Sequence, residues 1–134
     1  LPSGLPEHVD DTEDLARFLT QSNQFNSTMA KPAAFLPNPK DRETSVSRHG
    51  RVPLETLWAL GLAAAGSRTL YGAVFIKAGS VRRARLQVVS SEPPDRHAVI
   101  IGWPWQDDDP ELRKAAQKEL AILLASAAGE PLLK

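Results

Sequence analysis

The stretch TLYGAVFIKAGSVRRARLQVVSSEPPDRHAVIIG, Thr69–Gly102, decides the fold class. From Thr69 to Lys77 the side chains alternate between two apolar sets, Leu70, Val74 and Ile76 against Tyr71, Ala73 and Phe75. This is the pattern of a central strand covered on both faces. Ala78-Gly79-Ser80 has the composition of a hairpin turn. Val81–Ser90 then reads as a second strand, with Ala84, Leu86 and Val88 on one face and Arg83, Arg85 and Gln87 on the other. Glu92-Pro93-Pro94-Asp95 breaks that run. His97–Gly102 is a third apolar segment, too short for a helix and closed by Pro104. Links this short join antiparallel strands, because a parallel crossover needs a dozen residues or more.

Downstream, Asp107-Asp108-Asp109-Pro110-Glu111 opens a helix. Asp109 is the N-cap, Pro110 takes the first helical position, and the acids match the positive end of the helix dipole. Leu112, Ala116, Leu120, Leu123, Leu124 and Ala127 trace its apolar stripe, which predicts Leu120, Leu123 and Leu124 buried against the sheet. Gly129 is its expected C-cap, with Pro131 beyond. Upstream, Pro53–Ala65 reads as a helix with Leu54, Leu57, Trp58 and Gly61 at helical spacing and Gly66 as its stop. Thr44–Arg48 reads as a short strand. Thr12–Thr20 places Leu15, Phe18 and Leu19 at i, i+3 and i+4 behind a run of acids and predicts a short helix, with a strand as the alternative. Gln21–Pro39 is an irregular connection pinned by Phe25, Phe35 and Leu36, or else a functional loop; Ala33–Leu36 is a short strand candidate. Residues 1–9, with Pro2, Gly4 and Pro6, form an extended arm. The expected architecture is an arm followed by one α+β domain over residues 10–134. It is two-layered, with a mainly antiparallel sheet of three to five strands and about three helices packed on it.

The 134 residues suffice for one hydrophobic core without metal or disulfide support. Sixteen basic and sixteen acidic residues balance, which argues against a domain that binds nucleic acid or anionic membrane by bulk charge. There is no Cys, which excludes disulfides, thiolate catalysis and iron–sulfur clusters. No apolar run is long enough to span a bilayer, and Leu1–Glu7 has neither the basic start nor the apolar block of a signal peptide. The expectation is a cytoplasmic protein with no membrane partner. None of the glycine loops of nucleotide enzymes occurs, nor a GxSxG or HExxH motif, so no cofactor is expected.

Three side-chain sets remain as candidates. His49 and His97, each preceded by an Arg, could supply a general base and a general acid, with Glu43, Arg48 and Arg96 completing the inventory of a metal-independent ribonuclease. That requires the two rings within roughly 6–8 Å of one another. Arg83 and Arg85, with Arg48, Arg51, Trp103 and Trp105, could form a surface for phosphates and stacked bases. Asp107–Asp109 could hold Mg²⁺, but N-capping accounts for these acids, and no metal is expected. Trp103 and Trp105 flank Pro104: Trp103 shares the strand face of Val99 and Ile101 and should be core. Trp105 is expected to turn outward and to be covered by a partner, a second copy or the Gln21–Pro39 segment.

The segments Asp10-Asp11, Leu15-Ala16-Arg17-Phe18, Lys31-Pro32-Ala33-Ala34-Phe35, Ser45-Val46-Ser47-Arg48 and Arg96–Pro104 resemble a group of small bacterial proteins to which no activity is assigned. The resemblance implies a discrete bacterial domain and no particular chemistry. The sequence therefore points first to a non-enzymatic domain that docks a protein partner or self-associates. The ribonuclease and the nucleic-acid module are the alternatives.

Overall fold

A computed structural model describes residues 1–134. The strands are β1 (Asp14–Leu19), β2 (Thr44–Arg48), β3 (Gly72–Lys77), β4 (Gln87–Ser90), β5 (His97–Ile101) and β6 (Leu132–Leu133). The α-helices are α1 (Leu54–Ala65), α2 (Ala78–Arg83) and α3 (Pro110–Ala127). All strands join one antiparallel sheet in the order β4-β5-β2-β1-β3-β6. The α+β class and the antiparallel sheet are as the sequence implies. The sheet has six strands rather than three to five, because the Thr12–Thr20 segment and the C-terminal Leu132-Leu133 both join it.

The first segment is a strand because it is apolar on both sides. Leu15 and Leu19 are buried with α3, whereas Ala16 and Phe18 are buried with α1. A surface helix would leave one of these sets in water; a strand between two layers buries both. The acids before it are not a helix cap. Glu13 pairs with Arg48, Asp14 with Lys77, and the Asp11 carbonyl accepts the Gly79 N–H. The Ala33–Leu36 strand candidate is instead a 3₁₀ turn over Pro32–Ala34. It sets Phe35 in the core and leaves Leu36 exposed.

The hairpin expected at Ala78–Ser80 is replaced by α2. Ala78, Val81 and Ala84 recur every third residue and are all buried, so helical spacing wins over strand alternation here. Gly79 lies in a close approach: a Cβ there would sit 3.1 Å from the Asp11 backbone oxygen, tighter than ordinary contact. Only Gln87–Ser90 of the expected second strand pairs, against Ile101–Ala98 of β5.

α3 begins as expected, with the Asp109 carboxylate accepting the Leu112 N–H at 3.0 Å. Its buried line runs through Ala121, Leu124 and Ala125, with Leu120 half-buried. Leu112 and Leu123 are each 54 % exposed, so the stripe is rotated by about one position from the expected one. The helix ends at Ala128 rather than Gly129, whose N–H instead bonds to the Phe75 carbonyl.

The helices divide between the two faces. α3, α2 and the 3₁₀ turn Pro32–Ala34 cover the face bearing Leu15, Val46, Val74, Ile76, Val88 and Ile100. α1 covers the other face only over β1 and β3, on Ala16, Phe18 and Ala73. The N-terminal arm is docked. Val9 is in the core, and Arg48 holds the carbonyls of Pro6 and His8. Ser3 bonds to Glu92, whose carboxyl is held below its ordinary range chiefly by the Ser3 hydroxyl. No helix is long and apolar enough to cross a membrane.

Candidate functional site

Since α1 stops at β1, the same face of β2 and β5 is left without a helix. Cross-strand register puts Ser47 opposite Ala16 on one side and His97 on the other, and Ser45 opposite Val99. Ser45, Ser47 and His97 therefore look into the space beside α1. That space is a cleft of about 700 Å³, closed on one side by Leu60, Ala63 and Ala64 and on the other by Leu36–Pro39. Its volume lies within the range of small-molecule sites.

The cleft is also where the sheet splits. β1 and β2 pair only at Leu15–Arg48 and Ala16–Ser47 and then part. Arg17 fills the gap. Its Nε donates to the Ala34 carbonyl at 2.6 Å, and its Nη1 to the Ser45 carbonyl at 2.9 Å. Arg68 reaches the cleft from beyond α1. It donates to the carbonyls of Ala64 and Ala65, the C-terminal end of that helix, and to the Thr20 hydroxyl. A cation suits that negative dipole end.

Arg17 and Arg68 both line the cleft, and neither has a carboxylate within ion-pairing distance. Burial, and secondarily the charge of Arg68, push the Arg17 pKa down to about 10. Neither cation is thus in an ion pair, although Glu43 and Asp95 line the same cleft.

Neutral donors lie in the same cleft. Gln24 Oε1 accepts the Thr20 and Gln21 N–H groups, which fixes the carboxamide and leaves Nε2 without a protein partner. Ser47 Oγ is buried and has no hydrogen-bond partner. His97 Nδ1 lies 2.9 Å from the Ser91 carbonyl. A carbonyl can only accept, so Nδ1 is the donor here, and in the neutral ring the lone pair is then on Nε2.

The sequence candidates distribute as follows. His97 and Glu43 line the cleft. His49 is a diagonal neighbour across the β2–β5 ladder, but its ring packs on Phe75 at 4.7 Å and is not part of the cleft lining. Arg96 adopts φ 62° and its Nη1 donates to the carbonyls of Arg48 and His49, so it ties off the end of β2. Arg48 is 1 % exposed and fully engaged with Glu13 and the arm.

Arg83 and Arg85 do not share a strand face. Arg83 lies on α2 and bonds to Ser80 Oγ, while Arg85 follows the helix with φ 66°. Trp103 is core, as expected, but on the side of Ala98 and Ile100 rather than with Val99 and Ile101, because the chain turns at Gly102 (φ 92°) after β5. Trp105 is half-buried, with the guanidinium groups of Arg42 and Arg113 at 4.8 and 5.1 Å from its ring. What lies over it is thus this chain's own Arg42 and Arg113 rather than the Gln21–Pro39 segment. The shared surface of Arg48, Arg83, Arg85, Trp103 and Trp105 does not form, because Arg48 and Trp103 are interior. Asp107 faces Arg42 at 3.5 Å and Asp109 caps α3.

Sequence reasoning missed Arg17, Arg68 and Ser47. A signal was present for Arg17: an arginine inside Leu15-Ala16-Arg17-Phe18-Leu19 must find buried acceptors or a ligand. A second, more open depression of about 470 Å³ is lined by His8, Asp10, Asp11, Thr12 and Arg82. There the arginine is neutralised by Asp11 at 2.6 Å. No family model, curated protein or solved structure matches this chain.

Proposed function

We propose that this chain is a non-enzymatic binding domain that seats its ligand in the cleft between α1 and the uncovered half of the sheet. The observation that carries this is the Arg17–Arg68 pair: two guanidinium groups face one cleft and neither is in an ion pair, the cleft's carboxylates Glu43 and Asp95 lying outside pairing distance. The lining is mostly polar, with an apolar part from Phe18, Leu36 and Leu60, so it suits a ligand with a polar group to be recognised. The sequence had pointed to docking at the Trp103–Trp105 corner. Arg42 and Arg113 already lie over Trp105, so the cleft supports binding better than the corner does. The test is to fill the cleft. Ala64 is exposed on α1, so Ala64→Trp keeps the fold and obstructs the space. Native mass spectrometry of the protein incubated with a cell extract should find a small molecule on the wild type and not on Ala64→Trp. Equal occupancy of both would place binding elsewhere.

One observation favours the ribonuclease reading: the free Nε2 of His97 shares the cleft with Arg17, Arg68 and Glu43. A base and cations for a phosphate are then together. His49 is not in the cleft lining and its ring packs on Phe75, so this reading has only His97 within the cleft itself. Cleavage of an oligoribonucleotide that is lost in His97→Ala would make this reading the correct one.

A further inference from the structure

We infer that the Arg17–Arg68 end of the cleft is a seat for a phosphate monoester dianion carried by a small apolar molecule. This rests on the cleft being the binding site and goes further by naming the ligand's chemistry. Charge comes first. Two cations face one space; burial is the main cause of the lowered Arg17 pKa, and the charge of Arg68 is the second. A single carboxylate neutralises one of them, whereas a phosphate monoester, close to −2 near neutral pH, neutralises both.

Donor geometry comes second. Arg17 uses Nε and Nη1 on the carbonyls of Ala34 and Ser45, which holds the guanidinium plane in the gap between the strands and leaves Nη2 unbonded. Arg68 is held by the carbonyls of Ala64 and Ala65, so its spare N–H groups are also preoriented. Fixed guanidinium planes favour multidentate recognition of phosphate. Gln24 Nε2 adds a neutral donor in the same lining.

The third ground is the rest of the wall. Phe18, Leu60, Ala63 and Pro37 also line the cleft and suit an uncharged body. Glu43 and Asp95 line the same cleft and oppose anions in it, so only a group that reaches both guanidiniums directly is held, and a singly phosphorylated ligand fits better than a polyanion. This disfavours a nucleic-acid strand as the occupant.

The probe is phenyl phosphate, titrated calorimetrically into the full chain at constant ionic strength beside benzoate and phenol. The expected result is saturable binding of phenyl phosphate at least tenfold tighter than benzoate, with no binding of phenol. Arg68→Gln should weaken phenyl phosphate at least tenfold. Ala63→Glu, an exposed position on α1 where the fold tolerates the change, should abolish it by supplying an internal anion. Benzoate binding as tightly as phenyl phosphate, or phenyl phosphate indifferent to both substitutions, overturns the phosphate assignment. If an extract-derived ligand blocked by Ala64→Trp carries no phosphate, the binding-domain reading survives and this inference falls.

Discussion

Replacing Glu13 by Gln should cost this protein about 3 kcal/mol, a large share of a typical folding stability. Arg48 is the largest fully buried side chain in the protein. Its charge is met by Glu13 in a two-pronged pair, Nε to Oε1 at 2.6 Å and Nη2 to Oε2 at 2.7 Å. The remaining donors go to the carbonyls of Pro6 and His8 and to Ser90 Oγ. Glu13→Gln keeps the shape and one acceptor oxygen but removes the countercharge. Breaking a buried pair from one side costs about 3–5 kcal/mol because the other charge is stranded. The lower end applies because the Glu13 side chain is 18 % exposed, so water partly replaces it.

The control is Asp14→Asn. It removes the Lys77 partner at 3.0 Å, but those side chains are 42 % and 54 % exposed, so the change should stay under about 1 kcal/mol. Urea unfolding followed by tryptophan fluorescence reads both. With a slope of about 2 kcal/mol per molar, Glu13→Gln lowers the midpoint by about 1.5 M and Asp14→Asn by less than about 0.5 M. Amide exchange should show the arm around Val9 released in Glu13→Gln alone. The double variant Glu13→Leu/Arg48→Met should recover most of the loss, since no buried charge is left. A cost for Glu13→Gln no larger than that of Asp14→Asn would refute the claim that Arg48 needs this countercharge.

On α3, Leu124→Ala should cost about 2–5 kcal/mol, whereas Leu123→Ala, one residue earlier but 54 % exposed, should stay within about 0.5 kcal/mol; denaturation midpoints separate them. Gly61→Ala raises helix propensity, yet its Cβ would lie 2.8 Å from Leu70 Cδ2 and 2.9 Å from Phe18 Cδ1. A net loss of about 1 kcal/mol is expected, and a gain would mean that these side chains give way freely. Glu92 has a lowered carboxyl pKa, owing mainly to Ser3, so its contribution is complete above the ordinary carboxylate range and is lost as pH falls through the lowered value. Exchange protection of residues 3–9 should therefore drop on acidification below about pH 4, and Ser3→Ala, which removes the hydroxyl bond and keeps the backbone one, should weaken that pH dependence.

The sequence by itself determined what depends on neighbours a few residues away. The start of α3 was legible because an N-cap and its N–H lie three residues apart and Pro110 fits only the first turn. The end of α1 was legible because Gly66 takes φ 61°, a conformation that favours glycine. β2 and β5 could be read from composition and length; the burial of Trp103 could too, but not its side, because Gly102 at φ 92° turns the chain after β5 and sets the ring with Ala98 and Ile100 rather than with Val99. Where periodicities coincide, the chain was ambiguous. Leu15, Phe18 and Leu19 satisfy a helical face, and only the layers packed on both sides of the sheet make them a strand. Ala78, Val81 and Ala84 fit helix spacing as readily as Ala84, Leu86 and Val88 fit a strand, and the packing of Gly79 against Asp11 accompanies the helix.

The cleft belongs wholly to tertiary structure. It exists because β1 and β2 part after two paired residues and because α1 spans only half of one face. Arg17 and Arg68 lie on different elements and meet only once register and helix placement are set. Nothing local in either segment encodes the distance between them. A capping bond closes over three residues and is written in the chain. A pair of like charges held across a split sheet is stabilised by the whole fold, and only the folded chain shows it.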